Sequence, residues 1–419
     1  MSSISKPASI VNGKYKLPLT IALIIYLSLS IASLISLGHI KLWEAFTYPS
    51  YGGLIFMLST TGLFSVWLSG RWSRHPHTSG LLAGVLPMVL PFMGLAAVFF
   101  IFGWWYSRLF FFVFFLVLFV LNLALQFGRS RQVTKVAATS PAVVETLQRL
   151  GVQNVEVGLL ENLEDFDVLV TDLRHNSSNL SPHLLSDLAG KGKEIVDITT
   201  FTEGLTGKVD ISTLSEEAEI LLRPKDYIGI KRIWETVFVL LTAPLWLLIA
   251  AVVALLVRLD SPGPVIFKQR RIGLFGQPFD LYKFRSMHIN SETSGPKFAE
   301  VGDARVTRVG AFIRKFRLDE IPQLWNVLKG DMGLIGPRPE QEIFAKQFAR
   351  EIPFYETRHL VRPGLTGWAQ VVHGYASDSS STKEKLAYDL YYVKNFSFWL
   401  DLLIVLKTLS VILRGFGAR

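Results

Sequence analysis

Four long apolar runs fill the first third of this 419-residue chain: Leu17–Leu37, Gly52–Leu68, Leu81–Ile101 and Leu109–Phe127. Each approaches the roughly 20 residues that an α-helix needs to cross a bilayer. None carries a charge in its interior. The core helix of a soluble protein can match one such run, but four in succession predict four transmembrane helices. The absence of ionisable residues inside them argues against a transport pathway. A cleavable signal peptide is not expected, because no small-residue cleavage site follows the first run.

The flanking cations set the orientation. Lys6, Lys14 and Lys16 precede the first run, Arg71 and Arg74 lie in the second loop, and Arg129, Arg131 and Lys135 follow the fourth. The other two loops hold only Lys41 and Arg108. The positive-inside rule then places the N-terminus and everything after residue 128 in the cytoplasm. A net charge of +9 suits a protein lying against an anionic inner leaflet. Nucleic acid is not expected as a partner, since the basic residues do not form a stripe with stacking aromatics. The chain has no cysteine, hence no disulfide and no thiol nucleophile.

Residues 129–224 have the composition of a small soluble domain. Strand-like runs Val155–Leu160, Asp167–Thr171 and Glu194–Ile198 alternate with helix-like runs Ala142–Leu150 and Pro182–Gly190. That alternation predicts a small open α/β domain. No Gly-x-Gly-x-x-Gly follows a strand, so no dinucleotide site is expected. The polar cluster Asp172-Leu-Arg-His-Asn-Ser-Ser178 reads as a solvated loop.

A fifth apolar run, Thr236–Val257, contains Pro244 and is flanked by cations on both sides. Crossing would carry the second basic flank, and every chemical motif after it, to the outside. Pro244 removes one helical hydrogen bond and breaks the helix direction. The expectation is a re-entrant helix–break–helix over 230–258, with Thr242 satisfying backbone groups freed at the break. A kinked fifth span is the alternative. Phe396–Leu413 mixes apolar residues with Asp401, Lys407 and Arg414, which predicts an amphipathic helix in the interface.

Four polar motifs lie between these segments: Asp260-Ser-Pro-Gly-Pro264 leading to Lys268, Arg270 and Arg271; Phe279-Asp-Leu-Tyr-Lys-Phe-Arg-Ser-Met287; Arg314-Lys-Phe-Arg-Leu-Asp-Glu320 with its sequel Gly336-Pro-Arg-Pro339; and Arg362-Pro-Gly-Leu-Thr-Gly-Trp-Ala-Gln370. Strand alternation puts Lys283 and Arg285 on one face. Taken singly, these are solvated edges, helix-terminal acids before Pro322 and a Gly/Pro turn. Together they set two adjacent carboxylates amid cations, which suits chemistry on phosphate.

The region from Tyr227 to the C-terminus resembles the bacterial sugar transferases that begin polysaccharide assembly, the monotopic phosphoglycosyl transferases. The resemblance rests on Lys231-Arg232, Ser261-Pro-Gly-Pro264, Lys283-Phe-Arg-Ser-Met287, Leu318-Asp-Glu-Ile-Pro-Gln-Leu324, Gly336-Pro-Arg-Pro339 and Arg362-Pro-Gly-Leu-Thr-Gly-Trp368, in the family's order. Four leading spans, an α/β insert and Thr202-Glu-Gly-Leu-Thr-Gly-Lys-Val209 resemble its large subgroup. The insert is short for that subgroup.

The resemblance implies a four-helix transmembrane bundle (17–128) after a cytoplasmic tail (1–16), and a catalytic domain (225–419) on the cytoplasmic face of a bacterial inner membrane. It implies transfer of hexose-1-phosphate from a UDP-hexose, glucose or galactose, to undecaprenyl phosphate, releasing UMP and starting exopolysaccharide, capsule or O-antigen synthesis. Asp319 falls on the family's nucleophile, and Mg²⁺ on Asp319 and Glu320. Arg314, Arg338, Lys283 and Arg285 fall on phosphate-binding positions. A homodimer is expected by analogy. The competing reading is a non-catalytic scaffold or regulator that binds nucleotide sugar or lipid phosphate. Such a protein has no need of the acid pair with both arginines intact.

Overall fold

Helix α1 (Leu17–Leu37) packs against α4 (Arg108–Arg131), while α2 (Pro49–Trp72) packs against α3 (Leu86–Ile101). The structure is a computed structural model, and it describes residues 17–37, 49–72, 85–104, 107–131, 135–152, 155–157, 166–172, 182–191, 193–214, 227–288, 303, 305–373 and 379–413. The expected N-terminal tail and nearly all of the 172–178 cluster lie outside these residues. The chain is helix-rich α/β and divides into two units, Met1–Gly207 and Lys208–Arg419.

In the first unit, Ile55, Leu58, Met88, Phe92, Phe110, Phe114 and Leu118 form the seam between α1–α4. Ser28 and Ser59 hydroxyls donate to carbonyls one turn back, at 2.8 and 2.7 Å, so their polarity is satisfied within the helix. The outward faces are apolar too: Tyr26, Phe56, Phe100 and Phe112 are exposed. Of the four expected spans, the Gly53–Gly70 stretch of α2 is long and apolar enough to cross a membrane. The described parts of the other three contribute shorter apolar stretches.

The same unit carries a parallel sheet of β1 (Val136–Ala138), β2 (Val155–Val157), β3 (Val168–Thr171) and β4 (Glu194–Asp197), in the order β2-β1-β3-β4. Helices α5 (Pro141–Arg149), α6 (Pro182–Gly190) and α7 (Ile198–Thr206) provide its cover. Val136, Ala138, Val168 and Val170 pack on one face, and Ala137 and Leu169 on the other. Burial of both faces is what a parallel sheet requires. Ser140 caps α5 by accepting from the Val143 N–H, and Asp197 caps α7 through the Thr199 N–H. The open α/β insert is therefore present. Its β4 ends at Asp197, because Ile198 already opens α7.

The second unit begins at Lys208, ahead of the 225 expected from sequence, since Val209 is buried in its core and donates to the Ala387 carbonyl at 3.0 Å. Its elements are α8 (Tyr227–Leu241), α9 (Ala243–Asp260), β5 (Ile266–Ile272), β6 (Pro278–Phe284), α10 (Arg308–Lys315), α11 (Gln323–Lys329), β7 (Gly333–Ile335), α12 (Glu342–Glu351), β8 (Gly364–Thr366), α13 (Trp368–Val372), α14 (Ser379–Lys394) and α15 (Phe398–Leu413). The apolar run breaks at Thr242, with Pro244 in the first turn of α9. The Thr242 hydroxyl donates to Phe238 O at 2.8 Å and the Trp246 indole to Val239 O at 3.1 Å, so carbonyls at the break keep partners. Helix α9 is also long and apolar enough to cross a membrane. Leu241, Leu245, Leu248, Leu255 and Leu259 are exposed along α8 and α9.

Strands β5 and β6 form an antiparallel hairpin, and β7 pairs in parallel with β8. Trp368, Tyr355, Tyr392, Leu390, Leu400 and Ile404 build the main core. The first two thirds of α15 belong to that core: Leu400, Asp401, Leu403 and Ile404 are fully buried.

Candidate active site

Three segments converge on the acid pair. Thr307 starts α10 by accepting from the Gly310 N–H at 2.9 Å. The chain leaves α10 through Arg317, which is left-handed (φ 54°, ψ 23°), a conformation costing a non-glycine residue roughly 1 kcal/mol or more. That reversal leads into a 3₁₀ turn, Leu318–Glu320, and then to Pro322 at the N-cap of α11. Asp319 and Glu320 therefore sit at a corner between two helices.

Helix α11 is held at its middle and at its C-terminus. Buried Asn326 accepts from the Tyr282 N–H at 3.1 Å and donates to Asp280 O at 2.7 Å, locking α11 to β6, the strand that bears Lys283. At the C-terminus, Arg232 donates to Leu328 O at 2.6 Å and Arg362 to Gly330 O at 3.1 Å. Two cations there satisfy orphan carbonyls and the helix dipole.

The third segment follows β7. Gly336 has no room for a side chain: a Cβ would stand 2.3 Å from the Arg362 carbonyl. Arg338 lies between Pro337 and Pro339. Its own carbonyl receives Arg358 at 2.9 Å, and the Pro339 carbonyl receives Arg271 at 2.9 Å. Arg358 is buried and paired with Asp389 at 2.7 Å. The loop is thus fixed from beneath, and the Arg338 side chain is presented to Glu320.

The two carboxylates differ sharply. Glu320 is buried, and its Oε1 lies 2.7 Å from Arg338, 3.7 Å from Lys283 and 4.0 Å from Arg317. Burial opposes its charge, but Arg338 and Lys283 outweigh that and hold its pKa at about 2. Asp319 is only partly buried and makes no hydrogen bond or ion pair among the described residues. Burial and the neighbouring Glu320 charge raise its pKa, against the pull of Lys283, Arg338 and Arg314. Lys283 is pushed down to about 8 by burial, although Glu320 favours its charge.

Lys283, Arg338, Asp319 and Glu320 are brought together, and Arg314 is close enough for its charge to be felt at Asp319. Arg285 is not brought to them. It is buried, and its Nη2 donates to the Ser261 carbonyl at 2.6 Å and hydroxyl at 2.9 Å, capping the end of α9. The two basic residues expected on one face thus serve different ends of the unit. Arg317 is the residue that sequence reading missed. Its place directly before the acid pair was visible, but nothing in the sequence signals a left-handed arginine.

A metal ion on this pair can be weighed from the donor set. Among the described residues no group of three or more His, Asp or Glu side chains is placed to hold one. Mg²⁺ characteristically takes one or two carboxylates and completes its shell with water and substrate phosphate. The uncommitted Asp319 carboxylate fits that demand. Glu320 Oε1, already facing three cations, fits it less well.

The chain has relatives among known proteins. The sequence model of the family described as bacterial sugar transferase matches residues 226–415. The chain is 50% identical over 266 residues to the UDP-N-acetylgalactosamine-undecaprenyl-phosphate N-acetylgalactosaminephosphotransferase of Aeromonas hydrophila, covering 61% of this chain and 60% of that protein. It is 41% identical over 185 residues to the UDP-glucose:undecaprenyl-phosphate glucose-1-phosphate transferase of Caulobacter vibrioides, covering 44% of this chain and 69% of that protein. It is 42% identical over 172 residues to the exopolysaccharide production protein PSS of Rhizobium leguminosarum bv. phaseoli, covering 39% of this chain and 86% of that protein. The Aeromonas match runs longer than the whole 226–415 region, so it also takes in residues outside it. Matching 69% of the Caulobacter protein at 41% identity and 86% of the Rhizobium protein at 42% identity, the chain belongs to the bacterial sugar transferase family.

Proposed function

We propose that the chain transfers a sugar-1-phosphate from a UDP-sugar to undecaprenyl phosphate, with Asp319 as nucleophile. The observation that carries this reading is the asymmetry of the acid pair: Glu320 is pinned by Arg338 while Asp319 is left uncommitted beside it. Counting Lys283, Arg314, Arg317 and Arg338 against Asp319 and Glu320, the cluster holds a net +2, the complement of a diphosphate.

An Asp319 oxygen bonds to the β-phosphorus of the donor. The bond from that phosphorus to the bridging oxygen breaks, and its electron pair leaves with UMP. An oxygen of undecaprenyl phosphate then attacks the same phosphorus, and the Asp319 carboxylate departs as leaving group. Arg338, Lys283, Arg317 and Arg314 neutralise the phosphate oxygens, and the buried Glu320 sets the direction of Arg338 and Lys283. Mg²⁺ held by Asp319, with Glu320 beside it, would supply charge stabilisation for the leaving monophosphate.

The same proposal places the catalytic unit at the cytoplasmic face of a bacterial inner membrane. Helices α1–α4 cross the bilayer, and α8–α9 dips in and returns. The exposed leucines of α8 and α9 support contact with lipid, as do Phe312 on α10 and Phe316 at its C-cap, on the segment leading to the acid pair. A homodimer stands as an expectation from the family resemblance. Full-length protein in membranes, given undecaprenyl phosphate and labelled UDP-glucose, UDP-galactose or UDP-N-acetylgalactosamine, should yield labelled lipid with at least one donor. No lipid-linked product from the whole panel would refute the reading.

A further inference from the structure

Helix α8 carries a polar stripe that the reaction above does not use. Lys231 and Glu235 are 5% and 2% exposed in a largely apolar helix, a costly burial unless every charge is partnered. Every charge is. Lys231 pairs with Asp401 of α15 and lies 3.1 Å from Glu235 Oε1. Asp401 also accepts from Tyr227 at 2.9 Å and Tyr392 at 2.6 Å. The Glu235 Oε1 atom accepts from the backbone N–H groups of Leu334 at 2.9 Å and Ile335 at 3.2 Å. Those residues belong to β7, which among the described residues pairs with β8 alone, and β7 runs directly into Gly336-Pro337-Arg338. Glu235 gives β7 the acceptor that a further strand would otherwise provide. Gly333 makes room for it: a Cβ there would stand 2.8 Å from Glu235 Oε2.

We infer that Glu235 is a positioning residue for Arg338. It anchors β7 to the membrane-side helix, so the guanidinium behind the Glu320 contact is delivered in one place. Lys231 and Asp401 hold the Glu235 carboxylate in turn, which links the setting of the active-site arginine to α8 and α15. A displacement of about 1 Å in such a group is worth on the order of a hundredfold in rate. The inference rests on the transferase reading.

The test uses full-length parent, Glu235→Ala, Glu235→Gln, Gly333→Ala, Arg338→Ala and the Glu235→Ala/Arg338→Ala double variant, assayed for kcat, KM and melting temperature. Glu235→Ala should lower kcat/KM by about ten- to a hundredfold. The double variant should be no worse than Arg338→Ala alone, because the second residue acts through the first. Glu235→Gln keeps the acceptor and should recover most of the rate. Gly333→Ala displaces the Glu235 carboxylate from β7, so it should lose rate as Glu235→Ala does. Multiplicative losses in the double variant would overturn the inference, as would Glu235→Gln matching Glu235→Ala or a parent-like Gly333→Ala. A parent silent on every donor fails the transferase reading instead.

Discussion

Replacing Asp319 by Asn and, separately, Glu320 by Ala separates chemistry from scaffolding in two adjacent residues. Asp319 makes no hydrogen bond or ion pair among the described residues, and its charge is opposed by burial and by Glu320. Asn has nearly the same shape and removes that repulsion, so melting should change little, within about 0.5 kcal/mol. Turnover should fall at least about a thousandfold, as it does when a nucleophile is lost. Glu320→Ala should do the reverse to the fold. It removes a carboxylate held at about 2 by Arg338 and Lys283 and leaves two cations without it. A depression of that size corresponds to about 3 kcal/mol, in line with the usual cost of breaking a buried pair. For a unit this size that is a fall of about 10 °C in melting temperature. The assays are lipid-linked product formation and thermal unfolding of the detergent-solubilised protein. Asp319→Asn turning over within tenfold of the parent would remove the nucleophile. Glu320→Ala melting with the parent would show that the ion pair does not hold the turn.

Arg338→Ala should reduce kcat/KM for the donor by about 10²–10³, the usual loss for one charge-stabilising donor; parent-like kinetics at every donor concentration would end its phosphate role. Chelation with EDTA should stop turnover and added Mg²⁺ should restore it, whereas full rate in EDTA would exclude the metal. Arg285→Ala should lower melting by about 2 kcal/mol, through the lost Ser261 bonds, and leave donor KM unchanged; a raised KM with normal melting would return Arg285 to the phosphate site. Burial opposes the charge of Glu340, but Lys385 and Arg358 hold its pKa at about 2, below an ordinary 4.5. Its stabilisation is then complete above pH 4.5 and drains away as pH falls towards 2. Glu340→Gln should flatten the acid limb of the melting-temperature curve, and parallel curves for parent and variant would contradict this.

What the sequence disclosed tracks which physical signals are local. Apolar runs, strand–helix alternation and a proline in a helix act within a few residues. They located α1–α4, three of the four strands of the parallel sheet and the break at Thr242, while the short central strand β1 was not among the expected runs. The acid pair was equally legible, because two carboxylates among cations are informative whatever the fold. The division of labour within the cationic set was not. Lys283 and Arg285 are two positions apart and chemically alike, yet one meets Glu320 and the other caps α9. That outcome depends on α9 ending at Asp260 and leaving Ser261 O beside Arg285, a contact between segments 24 residues apart.

The same reasoning explains why helix α8 and the candidate active site look separable in sequence and are joined in the structure. Helix α8 reads as apolar, with a few cations at its start. Its polar residues are spaced so that Arg232 ends α11, which carries the acid pair at its other end, and Glu235 edges β7, which leads to Arg338. The carboxylates and Arg338, the arginine proposed to neutralise phosphate, therefore share one support. A shift of α8 moves both together and preserves the 2.7 Å Arg338–Glu320 contact, whereas loss of either tether moves one against the other. The proposed attack of Asp319 on the donor depends on that relative placement. On the proposed reading, an enzyme that meets a soluble donor on one side and a lipid phosphate on the other gains by fastening its reacting groups to the helix proposed to enter the bilayer.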